Sequence, residues 1–237
     1  MEFFRLLQAF VYISGVLLLF LVLYRKYGGY RYRCFMSFVL LMVMAVYGLF
    51  AAIALPIFGK AGLINYTVAR GYYYLGRFFT GLQCTVSGRE NVLLSPAVYV
   101  CNHQSSLDTM KNRANALKEA KQASVNIHKN QTSVWLFPEG TRGHSTEVNL
   151  LPFKKGAFYM AVQARVPIVP VVIANYHSLY STQDRRFIPG NVNIKVLQPI
   201  VTNAVGEDSA SIEELSVRVR ESMLTALRDI SPTSKDD

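Results

Sequence analysis

The chain has 237 residues, of which 51% are hydrophobic, and its mean hydropathy of +0.21 is too high for an ordinary soluble domain. Lysine and arginine number 25 against 15 aspartates and glutamates, which gives a net charge of +10. This charge favours a membrane lipid surface or a phosphorylated small molecule as partner, and nucleic acid is not expected because the sequence has no binding motif for it.

Two long apolar segments near the N-terminus predict membrane-anchoring helices. Residues 6–24 and 35–58 carry no charge, and each reaches the roughly 20 residues that cross a hydrocarbon core. A cleavable signal peptide is disfavoured, because the first apolar run is long, no small-residue cleavage site follows it and a second apolar segment comes soon after. We expect residues 1–61 to anchor the chain, residues 62–230 to form one domain and residues 231–237 to be a polar tail.

The orientation of these segments is left open by the charges between them. Arg25, Lys26, Arg31 and Arg33 place the connection between the segments in the cytosol by the positive-inside rule. A full crossing by the second segment would then put the domain on the opposite side. Either that segment crosses incompletely, or the two segments form a hairpin within one leaflet.

The aromatic and basic stretch 72–79 follows, and it has two interpretations. Its rings suit the membrane–water interface, and they would equally suit the first helix of the domain, packed on the core.

Beyond this stretch, predicted strands alternate with predicted helices, which indicates an α/β layered domain. The strands are expected at 83–86, 97–101, 134–137, 168–173 and 192–197, and the helices at 112–129, 156–165 and 211–230. Pro170 interrupts the fourth strand, which predicts an edge or irregular position for it.

His103 and Asp108 follow the second predicted strand and form a candidate base with its orienting carboxylate. The two side chains meet most easily if His103 lies at the strand end and Asp108 lies in the first turn of the next helix. On residues alone, such a pair is more often a capping or structural arrangement than a catalytic one.

A candidate anion site follows the third predicted strand. Glu139, Gly140, Thr141 and Arg142 come directly after it, where ligands bind in open α/β sheets. Arg142 offers a planar fork to a phosphate, and Glu139 can hold this arginine or a neighbouring group in place. Lys154 and Lys155 add positive charge just before the start of a predicted helix. The alternative for each cation is an ordinary solvated surface charge. Together with His103, these residues predict a site that activates a hydroxyl on a phosphate-bearing substrate.

Several other kinds of site are disfavoured. A G-x-S-x-G elbow and the Walker and Rossmann glycine patterns are absent from the sequence. The three cysteines, Cys34, Cys84 and Cys101, contain no CxxC pair. We therefore expect no metal, no disulfide framework and a domain that faces the reducing cytosol.

Four motifs, in this order, strongly resemble those of the 1-acyl-glycerol-3-phosphate acyltransferases. They are Asn102-His103 through Asp108, Phe137 through Arg142, Leu151 through Phe158, and Val166 through Val171. The resemblance implies acyl transfer from acyl-CoA to the 2-hydroxyl of lysophosphatidic acid at the endoplasmic reticulum membrane, giving phosphatidic acid.

By this resemblance His103 is the general base, oriented by Asp108, without an acyl-enzyme, a metal or a cofactor other than acyl-CoA as co-substrate. The stretch from Glu139 to Arg142 would hold the acceptor's phosphate, and residues 166–171 would support the acyl or CoA side.

The sequence departs from this family between Asp108 and Glu139, which are separated by only 30 residues. The family carries a longer segment there, including a Gly…Phe-Ile-Asp-Arg motif whose arginine binds the acceptor. A splice-shortened form is therefore predicted, either active as an acyltransferase or catalytically impaired, membrane-anchored and limited to binding lipid or partners. No oligomeric state is predicted.

Overall fold

The computed structural model describes residues 2–93, 96–104, 127, 131–141, 143 and 147–232, without the side chains at positions 6, 17–23, 25 and 26. The chain forms two compact units. The first contains Met1–Gln83 and Ser178–Asn191, and the second contains Cys84–His177 and Val192–Asp237.

Long helices dominate the first unit: α1 (Glu2–Tyr27), α2 (Gly29–Ile57) and, after a short 3-10 helix (Ala61–Leu63), α3 (Ile64–Thr80). The helices predicted from the two apolar segments are confirmed. Only Gly28 separates α1 from α2, so the basic residues expected in a connecting loop belong to the helices instead. The aromatic stretch 72–79 is helical too, and it lies in α3, which packs against α2 within this unit.

α2 exposes large apolar side chains that a helix in water would bury. Phe35, Phe50 and Ile53 are 63%, 68% and 70% exposed. Among the described residues, α2 is the helix whose length and apolar composition suit a membrane crossing. Helix α2 is therefore the candidate for the membrane anchor within the described part of the chain.

Arg33 is a charged residue of α2 that is buried, with its side chain only 3% exposed. Its Nε donates to the carbonyl of Thr80 at 3.0 Å, and its Nη1 donates to the carbonyl of Phe187 at 2.9 Å. The buried guanidinium thus satisfies carbonyls at the end of α3 and in the 178–191 segment, and it holds the first unit together.

The second unit is built around a mixed sheet. The strands of the described chain are β1 (Leu82–Ser87), β2 (Val98–Cys101), β3 (Val134–Leu136), β4 (Ile168–Ile173), β5 (Tyr180–Ser181), β6 (Arg186–Phe187) and β7 (Gly190–Val196). The five-stranded sheet has the order β1-β7-β4-β2-β3. Strands β5 and β6 pair with each other and belong to the first unit. β2 runs parallel to β3 and β4, whereas β4 and β7 are antiparallel.

Helices α4 (Gly156–Gln163) and α5 (Ser209–Ile230) contribute to the core of this unit. The helical period places five apolar residues on one face of α5, and all of them are buried: Ile212, Leu215, Val219, Met223 and Leu227. The carboxylate of Asp208 caps α5 by accepting from the amides of Ala210 and Ser211, both at 3.0 Å. A second cluster around Val169 and Val171 also forms, so the sheet buries both faces and shows the layered α/β fold that was expected.

The five predicted strands and the helices at 156–165 and 211–230 are confirmed to within a few residues. The helix expected at 112–129 lies outside the described residues, apart from Ile127, which is helical and buried. Most of the expected polar tail, 233–237, is also outside them.

Of the two positions expected for Pro170, the edge strand is wrong, because β4 lies between β2 and β7, whereas the irregular position is confirmed. Pro170 falls where pairing with β7 is irregular, between the Val171–Val196 pair and an isolated bridge from Ile168 to Ile200. Its carbonyl accepts from Leu197 at 2.9 Å. The hydrogen-bond ladder between β4 and β7 is therefore already interrupted where the proline lacks an N–H. An interior strand tolerates proline at such a position.

Candidate active site

His103 follows the carboxyl end of β2, and Glu139 follows the carboxyl end of β3. These strands are parallel neighbours, with Val100 opposite Leu136, so the same register places the two residues side by side. The His103 amide donates to Glu139 Oε1 at 2.8 Å, and the His103 carbonyl accepts from Gly143 at 2.8 Å. The structure thus brings together the first and second of the four sequence motifs.

Two amide side chains that flank His103 fix its loop to the end of β4. Asn102 is 1% exposed; its Nδ2 donates to the Ile173 carbonyl at 2.9 Å and its Oδ1 accepts from the Ile173 amide at 2.8 Å. Gln104 donates to the carbonyls of Ile173 and Ala174, both at 3.0 Å. Sequence reasoning assigned no role to either residue, although polar amides directly after a buried strand were a usable signal.

The imidazole of His103 is half-buried and stacks on the ring of Phe137. The two ring centroids are 4.4 Å apart, at an interplanar angle of 27°. With its main chain bonded on both sides and its ring against an aromatic face, His103 is restricted to a narrow range of orientations. A general base needs this kind of fixed geometry.

Glu139 is 5% exposed, and both of its carboxylate oxygens accept from backbone amides. Oε1 binds the His103 amide, and Oε2 binds the amide of Leu151 at 3.0 Å. Hydrogen bonds to an ionised acceptor are the strong kind. In this arrangement, Glu139 connects the His103 loop to the segment that carries Lys154.

The turn after Glu139 carries the candidate anion site. Gly140 has φ +63°, and a Cβ at this position would lie 2.7 Å from Cε and 2.8 Å from Nζ of Lys154. Glycine thus lets the lysine side chain cross directly over the turn. Thr141 is exposed beside it. Lys155 lies elsewhere, since its Nζ forms an ion pair with Glu213 at 2.7 Å.

A cavity of about 170 Å³ opens beside these residues within the second unit. Its wall includes His103, Gln104, Glu139, Asn149, Leu151 and Leu227. The wall combines polar groups with leucines, which suits a substrate with a polar head and an apolar remainder. Asp108 and Arg142 lie outside the described residues, and their roles stay predictions.

Comparison with known proteins identifies relatives. A family model described as Acyltransferase matches residues 109–174. The chain is 31% identical to the 1-acyl-sn-glycerol-3-phosphate acyltransferase of Saccharomyces cerevisiae, over 80% of this chain and 75% of that protein. It is 32% identical to 1-acyl-sn-glycerol-3-phosphate acyltransferase alpha of Homo sapiens, over 76% of this chain and 77% of that protein.

A solved structure shares the fold. The crystal structure of the 1-acyl-sn-glycerophosphate (LPA) acyltransferase PlsC from Thermotoga maritima matches with a TM-score of 0.64 and 22% sequence identity, over 84% of this chain and 95% of that one.

The alignments also show that this chain is shorter than its relatives within the matched region. The alignment with the Saccharomyces cerevisiae protein extends over 230 positions but takes in 80% of the 237 residues here, about 190, so about 40 positions have no residue in this chain. The Homo sapiens alignment has a similar shortfall, with 222 positions against 76% of this chain, about 180 residues. Both agree with an internal shortening of this chain, and its location after Asp108 stays a prediction.

Proposed function

Because this chain belongs to the 1-acyl-sn-glycerol-3-phosphate acyltransferase family, we propose that it transfers an acyl group from acyl-CoA to the 2-hydroxyl of 1-acyl-glycerol-3-phosphate. The product is phosphatidic acid. The observation that carries the proposal is the adjacent placement of His103 and the Glu139 turn at the carboxyl ends of β2 and β3. Ligands of open α/β sheets bind at this edge.

In the proposed reaction, the imidazole of His103 accepts the proton of the 2-hydroxyl while the hydroxyl oxygen attacks the thioester carbonyl carbon. The carbon–sulfur bond then breaks, and the CoA thiolate leaves with the proton that the imidazolium returns. Asp108 would hold the imidazole in the required tautomer. No acyl-enzyme, metal or further cofactor takes part.

The acceptor's phosphate would bind at the turn of Gly140 and Thr141, against the ammonium of Lys154 and the guanidinium of Arg142. In this proposal, Glu139 does not contact the phosphate directly. Both of its oxygens accept from backbone amides, and a carboxylate would repel a phosphate. Its function is to hold the His103 loop and the lysine-bearing segment at a fixed separation.

The proposed site works at a membrane surface. The exposed apolar side chains of α2 favour lipid as its surroundings, and a lysophosphatidic acid acceptor is itself a membrane lipid. We place the chain at the endoplasmic reticulum membrane with its second unit facing the cytosol, which supplies acyl-CoA.

A second candidate function is favoured by the alignment shortfall of about 40 positions. If the missing positions include the acceptor-binding arginine motif, this chain would be a membrane-anchored form that binds lipid or partners without turnover.

One assay separates the two candidates. The chain, purified in detergent, is given lysophosphatidic acid and labelled acyl-CoA, and labelled phosphatidic acid is measured for the unaltered chain, His103→Ala and His177→Ala. The enzyme proposal expects turnover that falls by about 10²–10⁴-fold in His103→Ala and stays near the unaltered level in His177→Ala. A folded sample without turnover, beside an active relative, would establish the impaired form.

A further inference from the structure

Helix α5 holds the segment Leu150–Lys155, called here the lysine segment, at both of its ends. Arg220 contacts the first two residues of the segment, and Glu213 contacts the last one. Arg220 and Glu213 are seven residues apart, about two helical turns, so they project from similar sides of α5. The lysine segment therefore lies along this helix.

The Arg220 contact is the stronger of the two. Its Nε donates to the Leu151 carbonyl at 3.2 Å, and its Nη2 donates to the Leu150 carbonyl. A guanidinium that binds two successive carbonyls fixes the direction of the main chain as well as its position. The Lys155–Glu213 ion pair is open to solvent, with side chains 39% and 52% exposed, and exposed pairs contribute little.

From the lysine segment, hydrogen bonds continue to the two candidate functional groups. The Leu151 amide donates to Glu139 Oε2, and Glu139 Oε1 accepts from His103. The Lys154 amide donates to the Pro138 carbonyl at 2.7 Å, which sets the lysine side chain over Gly140. Arg220 is thus connected to both the base and the anion site, although it contacts neither.

We propose that Arg220 is a positioning residue for the acceptor site, and that it keeps Lys154 over the Gly140 turn by fixing the main chain at Leu150 and Leu151. This proposal rests on the proposed function, since it assigns the phosphate of the acceptor to Lys154. Without the guanidinium, the lysine segment keeps its bonds to Glu139 and Pro138, but its remaining contacts to α5 are the exposed ones of Lys155. The ammonium then samples positions away from the turn.

The first test measures kinetics on the full chain in detergent, with Arg220→Gln, Arg220→Lys and the control Arg218→Gln. Arg218 is exposed and lies two residues from Arg220, about 200° around the same helix, so the control removes the same charge from the opposite side. We expect Arg220→Gln to raise KM for lysophosphatidic acid about tenfold, the equivalent of one charged hydrogen bond. KM for acyl-CoA should change less than twofold. Arg220→Lys should recover part of the loss, and Arg218→Gln should match the unaltered chain.

The second test does not depend on turnover. Amide hydrogen exchange is followed in peptides that cover 150–155 and, as a reference, β4. Arg220→Gln should speed exchange in the lysine segment about tenfold, because the Leu151 and Lys154 amides lose support, while β4 is unchanged.

The outcomes distinguish the two proposals. An unaltered chain without turnover, combined with faster exchange confined to 150–155, refutes the proposed function and keeps the positioning role. Equal acceleration in β4, or a fall in kcat with KM unchanged, shows that Arg220 only supports folding and overturns the proposal. Unchanged exchange and unchanged KM overturn it as well.

Discussion

Replacing Glu139 by glutamine tests the central geometric claim, that this buried carboxylate organises the site. The carboxylate is 5% exposed and accepts amides from His103 and Leu151 at 2.8 and 3.0 Å. Glutamine keeps one acceptor oxygen but turns an NH₂ donor toward the second amide, so two donors face each other. One hydrogen bond to a charged group is lost, at about 1.5–3 kcal/mol, and a buried donor is left unsatisfied, at about 1–3 kcal/mol.

Removing a buried charge also relieves its desolvation, which offsets part of this cost. We expect a net loss of about 2–3 kcal/mol, and hence kcat/KM lower by roughly 30- to 150-fold. The assay is acyl transfer from labelled acyl-CoA to lysophosphatidic acid, with amide exchange of 150–155 as a readout that needs no activity.

The matched control is Glu147→Gln, which removes the same charge from an exposed residue on the same cavity. We expect it to change kcat/KM less than threefold. If Glu139→Gln differs from Glu147→Gln by less than threefold, and exchange at 150–155 is also unaltered, the organising role is refuted.

Three further predictions concern the turn, the core and a helix cap. Gly140→Ala should raise KM for lysophosphatidic acid about tenfold, because its Cβ would displace the Lys154 side chain at 2.7–2.8 Å; the control Gly143→Ala, whose nearest contact would be 3.6 Å, should leave KM unaltered. Phe158→Ala empties a fully buried core position and should lower the free energy of unfolding in denaturant titrations by about 3–5 kcal/mol; a loss under 1 kcal/mol would contradict its place in the core. The Ser211 hydroxyl, with the backbone amides at the start of α5, lowers the pKa of Asp208 below its usual 3.8. The stability that ionised Asp208 contributes should therefore be complete above its unfolded pKa and be lost as pH falls through the lowered folded pKa. The difference in unfolding midpoint between the unaltered chain and Asp208→Asn should change only in that acidic range, and a change confined to neutral pH would contradict the capping role.

The sequence by itself determined the helices, the strands and the identity of the candidate base, because each depends on patterns within a few residues. The buried positions of α5 follow from the 3.6-residue period, and β2 and β3 follow from short apolar runs that end at polar motifs. Their layered α/β arrangement could also be predicted, since alternation of strands and helices restricts the topology strongly.

Only the tertiary structure decided which residues support His103. Asn102 reaches Ile173, 71 positions away, and Arg220 reaches Leu150 across 70 positions. Such contacts depend on strand order and on where α5 lies, which no local pattern encodes. The same holds for Pro170, whose missing N–H is harmless because of how β7 pairs beside it. Hydrophobic periodicity fixes each element separately, whereas side-chain hydrogen bonds between distant residues exist only once the elements have packed.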